Sequence, residues 1–298
     1  MQPFWLDAVC QNGEIWGAVM VFDAQGKVEA AHTYCWRKKW GFPVVVMPPL
    51  TPFAGPWLRY PKTDKLQSRH SFEKEVLKKL VAQLPNVFYS SQSFHFSLTN
   101  WLPFYWAGYQ ATPRYTYVIE DLSDLSLVFN NMKSVLRNTI RKAEKLVIVE
   151  KSESLSDFYA VNKKTFERQN KVIPYSFSFL EKIDNQLKNK GLRTIYLAKD
   201  KLTNEIHGGV YVAKDAQTAY ALLIGSDPKL RESGAVSLLL WHALQDASPS
   251  LHFDFEGSMM GGVESLFSSF GAAQKPYFII HKCKNKWVEI ARLFLLKK

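Results

Sequence analysis

The stretch Leu251-His-Phe-Asp-Phe-Glu-Gly-Ser258, followed by Gly261-Gly-Val-Glu-Ser-Leu-Phe-Ser-Ser-Phe-Gly-Ala272, constrains the fold more than any other part of this chain. Phe253 and Phe255 alternate with Asp254 and Glu256, the two-residue period of a strand with one buried face. Val263, Leu266, Phe267 and Phe270 then recur at helical spacing, and Gly271 suits the position just past a helix end. The spacing predicts a buried strand that ends in carboxylates and a glycine and turns straight into an amphipathic helix. Such acid-tipped strand ends are where α/β and α+β folds often place chemistry. On an extended strand Asp254 and Glu256 share one face, where two close carboxyls can raise one proton affinity towards neutrality. They are the candidate catalytic pair, one of them serving as base. The plainer reading is that one acid caps the following helix and the other pairs with Lys or Arg. His252 reads as a core or edge residue.

Hydrophobic residues make up 47% of the 298, enough for a substantial core and too many for wholesale disorder. Lys and Arg number 38 against 27 Asp and Glu, a net charge of +11. That surplus favours anionic partners, whether phosphorylated cofactors, nucleic acid or an acidic membrane surface, without choosing among them. The three cysteines, Cys10, Cys35 and Cys283, are far apart in sequence and form no Cys-x-x-Cys or His/Cys cluster. No metal site is expected, and a reduced, cytoplasmic setting is the simplest reading. The N-terminus lacks the basic-then-apolar layout of a signal peptide. The run from Phe42 to Leu58 is apolar but broken by five prolines, so no transmembrane segment is expected. Any membrane contact would be peripheral, made from the surface.

Along the chain, Ile15–Phe22 reads as a strand, Asp23-Ala-Gln-Gly26 as a hairpin turn and Val28–Cys35 as the return strand. Trp36-Arg-Lys-Lys-Trp40 is a basic patch between two indoles. From about Lys133 the pattern runs helix, helix, three strands, helix, strand, helix, strand, and the first third is a sparser version of that order. Two α+β domains follow, 1–113 and 114–298, with mixed central sheets flanked by helices and a C-terminal tail free to pack back on the first.

Two further features point at anions. A strand ends at Gly225, a basic loop carries Lys229 and Arg231, and Ser233-Gly234-Ala235 opens a helix. Unpaired N–H groups and the positive end of a helix attract phosphate, and a glycine lets it come close. The plainer reading is an ordinary capped loop. Lys133, Arg137, Arg141 and Lys145, with Lys142, form a basic stripe on one helix, suited to RNA or an anionic head group or simply to solvation. The sequence holds no Gly-x-Ser-x-Gly elbow, Walker loop or kinase set. Direct transfer between two bound substrates is the chemistry left, with positioning as its main term.

Several stretches together resemble the FemABX-like aminoacyl- and acyltransferases, which are built from tandem GNAT-type domains. They are Trp5–Cys10, Lys38-Lys39 with Met47–Thr51 and Gly55–Trp57, Leu136–Lys145, Gly225–Leu240, and Asp254–Ser258 with Phe267–Ala272. The resemblance implies transfer of an acyl or aminoacyl group to an amine, in cell-wall (peptidoglycan) or surface-polysaccharide metabolism. It implies acyl-CoA or aminoacyl-tRNA as co-substrate, no tightly bound cofactor, and a small-molecule or glycan-type amine as acceptor. By the same resemblance Lys229, Arg231, Ser233, Gly234 and Ala235 hold donor phosphates. Backbone N–H groups near Leu223–Gly225 polarise the carbonyl, and Trp36, Arg37, Lys38, Arg137, Arg141, Gly257 and Ser258 contact substrate. The family loop usually reads Arg/Gln-x-x-Gly-x-Gly/Ala, and Val236 stands here where a small residue is usual, which tilts towards a donor other than CoA. No long coiled-coil arm for tRNA is visible between Val172 and Leu192. The competing class is a non-catalytic GNAT-fold protein that binds an anionic ligand or RNA.

Overall fold

The structure, a computed structural model, describes residues 2–11, 13–39, 41–247 and 252–295, with side chains as far as 290. Trp40 of the basic patch, Leu251 of the acid-tipped strand and the terminal Lys297-Lys298 lie outside the described residues. The chain divides into two compact units, Met1–Arg114 with Pro276–Lys298, and Tyr115–Lys275.

In chain order the first unit holds α1 (Pro3–Val9), β1 (Ile15–Phe22), β2 (Val28–Lys39), β3 (Phe42–Val46), β4 (Gly55–Leu58), α2 (Leu66–Gln83), β5 (Tyr89–Ser93) and α3 (Leu102–Trp106). The strand β6 (Gln110–Ile119) carries the chain into the second unit. There follow α4 (Leu125–Asn131), α5 (Ser134–Leu146), β7 (Val147–Ser152), α6 (Leu155–Glu167), α7 (Phe177–Asn189), β8 (Arg193–Asp200), β9 (Ile206–Lys214) and β10 (Thr218–Ser226). A 3-10 turn (Pro228–Ser233) leads to α8 (Ala235–Asp246), β11 (His252–Asp254) and α9 (Gly261–Ser269). Finally β12 (Ala273–Cys283) returns the chain to the first unit, and α10 (Lys286–Leu295) follows.

In the first unit β1 pairs antiparallel with β2, and Asp23 shapes their turn by accepting the Gln25 and Lys27 N–H groups on Oδ1. The order continues β2-β3-β5-β12, with β3 and β5 parallel and β4 pairing with β2. Pro56 of the proline-rich run thus enters a strand, but only in this short branch off the main order. Val76, Leu77 and Leu80 of α2 recur at helical spacing and pack with Ala30, Phe94 and Phe104.

In the second unit the order is β6-β11-β10-β9-β8-β7, antiparallel except for the parallel pair β10–β11. Alternate residues of these strands feed two helical layers, as a period of two dictates. Tyr196, Ala198, Val210, Val212, Ala219, Ala221, Phe253 and Phe255 face α4, α5, α8 and α9 in one core. Tyr211 turns to the opposite face, where its ring meets Phe158 of α6 and its hydroxyl donates to Asp184 of α7. Both units are therefore mixed α+β sheets flanked by helices. The first holds 18 Lys and Arg against 8 Asp and Glu, a surplus of ten. The second holds 20 against 19, a surplus of one.

Helix α6 lies unusually close to β10. A Cβ built on Gly225 would stand 2.6 Å from the Asn162 Cα and 2.7 Å from its N. Backbone cannot yield as a flexible side-chain tip can. Gly225→Ala should therefore destabilise the protein by about 3 kcal/mol, read as a lower midpoint in urea unfolding with an unchanged slope.

Candidate functional site

Parallel pairing of β10 with β11 runs only from Thr218–Tyr220 against His252–Asp254, while β10 continues to Ser226. Beyond Tyr220 its parallel neighbour has ended, and β10 runs on without it. A bulge between Ala221 and Leu223 shifts the register of β10 on β9 near this point. The Asp227 N–H donates to the His207 carbonyl at the start of β9. By alternation Gly225 also faces β9, and Ile224 and Ser226 present their backbone to the vacated side. Two α6 side chains meet them there. Asn162 Nδ2 donates to Ile224 O at 2.8 Å, and the Ser226 N–H donates to Thr165 Oγ1 at 2.8 Å. Buried Asn162 is itself fixed by the Tyr175 hydroxyl, which donates to its Oδ1 at 2.5 Å. The sequence reasoning missed this Asn162–Thr165–Tyr175 set. A polar residue at 162 on the apolar face of a helix was its one visible signal.

The basic loop follows. Asp227 accepts the Lys229 N–H at 2.9 Å and pairs with Lys164 at 2.6 Å, so the turn is held from α6 as well. Ser233 is buried and spends its hydroxyl on Leu230 O, at 2.7 Å, which leaves it a structural part in the turn. Lys229 and Arg231 are exposed. Gly234 caps α8 at φ 72°, and a Cβ there would stand 2.5 Å from Thr139 Cγ2 of α5. The glycine is thus required by backbone conformation and by α5, before any ligand is considered.

At the end of β11, Asp254 is buried. The Thr116 hydroxyl donates to its Oδ1 at 2.5 Å, and the Glu256 N–H donates to the same oxygen at 2.9 Å. Glu256 does not continue the strand. Its φ of 60° lies in the left-handed region, so the expectation that both acids project from one extended face fails. The Asp254 turn brings them together instead. Glu256 Oε1 is enclosed without a hydrogen-bond partner. Burial raises the Asp254 carboxyl to about 6, against the lowering effect of its Thr116 and Glu256 hydrogen bonds. Burial first, and the Asp254 charge second, hold the Glu256 carboxyl well above the usual carboxylate range. The arrangement can keep one proton and one negative charge on two carboxyls near neutral pH.

The other expected residues fall in several places. Gly257 lies against β6, where a Cβ would collide with Tyr115 O, and Ser258 Oγ accepts the Met260 N–H at the start of α9. Both read as turn-forming residues. Arg137 donates to Asn130 O and Met132 O at 2.7 and 2.6 Å, closing the C-terminal end of α4, and Arg141 lies over the Phe129 ring. Part of the basic stripe is therefore committed to structure. In the first unit, Arg37 pairs with buried Glu14 at 3.1 Å, and strand alternation puts Trp36 and Lys38 on the opposite face. The three do not converge. Exposed His252 meets Glu120 O. No group of three or more potential metal ligands occurs among the described residues. A hollow of about 250 Å³ lined by Lys151, Tyr196, His242 and Asp246 lies away from β11, and its Tyr196, Asp246 and Lys151 already bond one another.

Residues 130–261 match the model of the acetyltransferase (GNAT) domain family. Among solved structures the chain is similar to FemX, with a TM-score of 0.66 and 14% identity over 93% of this chain and 90% of that one. It is similar to L-PGS from Bacillus licheniformis, with a TM-score of 0.54 and 12% identity over 98% and 90%. A tandem GNAT protein from the clavulanic acid biosynthesis pathway gives 0.52 and 11% over 93% of each. No curated protein matches the sequence. Residues 130–261 thus resemble a GNAT domain, and over most of its length the chain shares the fold of FemX. Among the described residues no helix is long and apolar enough to cross a membrane.

The carboxyl pair makes a stability test. A carboxyl raised in the folded state favours its protonated form, so its contribution is full at low pH and is lost as pH rises through the folded value. For Asp254 the loss falls between about pH 4 and 6, and for Glu256 it extends higher. Glu256→Gln should therefore melt above the wild type at pH 8 and level with it at pH 4, by scanning calorimetry.

Proposed function

We propose that this chain transfers an acyl or aminoacyl group from a phosphate-bearing donor to an amine, on an anionic acceptor of the cell-wall or surface-polysaccharide precursor kind. The observation that carries this reading is the buried Asp254–Glu256 pair at the tip of β11, where β10 is left without its parallel neighbour. The reading places the donor carbonyl against the β10 edge, with the Ile224 N–H aimed at the developing oxyanion. Leu223 and Gly225 face β9 by alternation and are relieved of that role. Lys229, Arg231 and the first turn of α8 attract donor phosphates, and α5, which packs on the 3-10 turn, adds Lys142 and Lys145 nearby. Acyl-CoA and aminoacyl-tRNA both satisfy these requirements for a donor. The surplus of positive charge in the first unit supports an anionic acceptor there, with Trp36 and Lys38 on one face of β2.

In the reaction the amine attacks the donor carbonyl, the carboxyl pair takes the amine proton, and the donor's oxygen or sulfur leaves. Glu256, the half-buried member, is the one that meets the amine, and buried Asp254 supplies the charge beside it. A base must be unprotonated to act, so kcat/KM should rise with pH as Glu256 loses its proton, above the usual carboxylate range. Asp254→Asn keeps an oxygen for Thr116 and the Glu256 N–H, so it should not lower the melting temperature. It should cut kcat by about 100-fold or more and move the rising limb to lower pH, because the Asp254 charge no longer raises Glu256. Unchanged kcat with an unchanged profile would return both acids to a turn-forming role and leave anion binding as the function.

The donor site is tested separately. Lys229→Glu with Arg231→Glu should raise the donor KM by about tenfold at low salt, with the difference shrinking in 0.5 M salt and kcat little changed.

A further inference from the structure

Cys10 and Cys35 are 25 residues apart in sequence, yet their Sγ atoms lie 3.3 Å apart in a hydrogen bond. Cys10 is the half-buried C-terminal cap of α1. Cys35 is buried in the middle of β2, held on one side by Trp16 of β1 and on the other by Val46 of β3. One sulfur therefore belongs to a half-buried residue at a short helix end, and the other is fixed in a sheet. A disulfide needs the sulfurs at about 2.05 Å, so closing it asks for a movement of roughly 1.2 Å from the 3.3 Å observed. The first unit already ties α1 to the hairpin nearby, through the Trp16 indole N–H on Asp7 at 2.7 Å, so the helix end is aimed at β2 before any bond forms.

We infer that Cys10 and Cys35 form a dithiol modification site that reacts with hydroperoxides and closes to a reversible disulfide. The two sulfurs take different parts. With Cys10 ionised, the Cys35 S–H is its hydrogen-bond donor, and that bond lowers the Cys10 pKa against burial and the nearby Glu14 and Asp7 charges. The same bond and burial keep Cys35 protonated. The Cys10 thiolate attacks one peroxide oxygen, an S–O bond forms, the O–O bond breaks, and the departing oxygen leaves as water or alcohol after taking a proton. Cys35 sulfur then attacks the Cys10 sulfenic sulfur. The S–S bond forms, the S–O bond breaks, and hydroxide leaves as water with the Cys35 proton. Two thiols lose two electrons and two protons in all, and one hydroperoxide is reduced.

The bond would pin α1 to β2 one residue before Trp36, in the unit proposed to take the acceptor. It does not depend on the transfer chemistry, so either can fail alone. The test uses the full chain, treated with about one equivalent of hydrogen peroxide, then unfolded in urea, alkylated with N-ethylmaleimide and weighed intact. Untreated protein should take three alkyl groups, one on each cysteine. Treated protein should lose about 2 Da and take a single group, on Cys283, and dithiothreitol should restore three. Cys10→Ser, which changes the half-buried member and spares the sheet, should abolish the loss of 2 Da, and Cys283→Ser should leave it. Three alkyl groups after treatment, a gain of about 16 or 32 Da in place of the loss, or a disulfide that survives in Cys10→Ser, would each overturn the inference.

Discussion

The second unit is organised by the length by which β10 outlasts its parallel neighbour. Pairing stops at Tyr220 and Asp254, and β10 goes on to Ser226. A strand left half-paired must place its backbone groups somewhere. Here α6 answers part of that demand by laying Asn162 and Thr165 against Ile224 and Ser226. Gly225 follows from this, because α6 can come so near only where β10 has no side chain. The 3-10 turn, the start of α8 and the Lys164–Asp227 pair then follow from where β10 is held. The same early stop leaves Asp254 at the end of a three-residue strand, free to build a turn rather than a ladder.

Much of this was legible in the residues, and the reasons are local. Ile15–Phe22 carries a continuous apolar run bounded by a turn signal, and the strand has those bounds. The acid-tipped strand and its helix read correctly in kind because Phe253, Phe255, Phe267 and Phe270 belong to one core and periodicity reports burial. Helix α7 has no counterpart in the pattern read from the sequence, although Ser176 caps it and Leu180, Ile183 and Leu187 recur along it. The resemblance to FemABX-like proteins reached the fold because it rested on motifs spread over most of the chain.

The site was less legible because its key conformations depend on long-range contacts. Period-two reasoning assumes that φ stays extended, and Glu256 breaks that assumption through the N–H it gives to Asp254. Gly234 looked like a concession to a ligand, yet Thr139, nearly a hundred residues earlier, already requires it. Arg137 looked like a ligand-binding cation and is spent on the end of α4. The cysteines looked remote because sequence separation says nothing about which strand meets which helix end. In each case a local pattern was read properly and a partner from elsewhere in the chain changed its meaning.

The uneven division of charge also bears on how the protein behaves as a solute. The second unit, with a surplus of one, is close to its isoelectric condition at neutral pH, where proteins repel their own kind least. The first unit, with a surplus of ten, supplies nearly all of the mutual repulsion that keeps such a chain dispersed. A polyanion that neutralised the first unit would remove that protection along with the charge. Binding to an anionic surface and crowding together upon it would then be a single event.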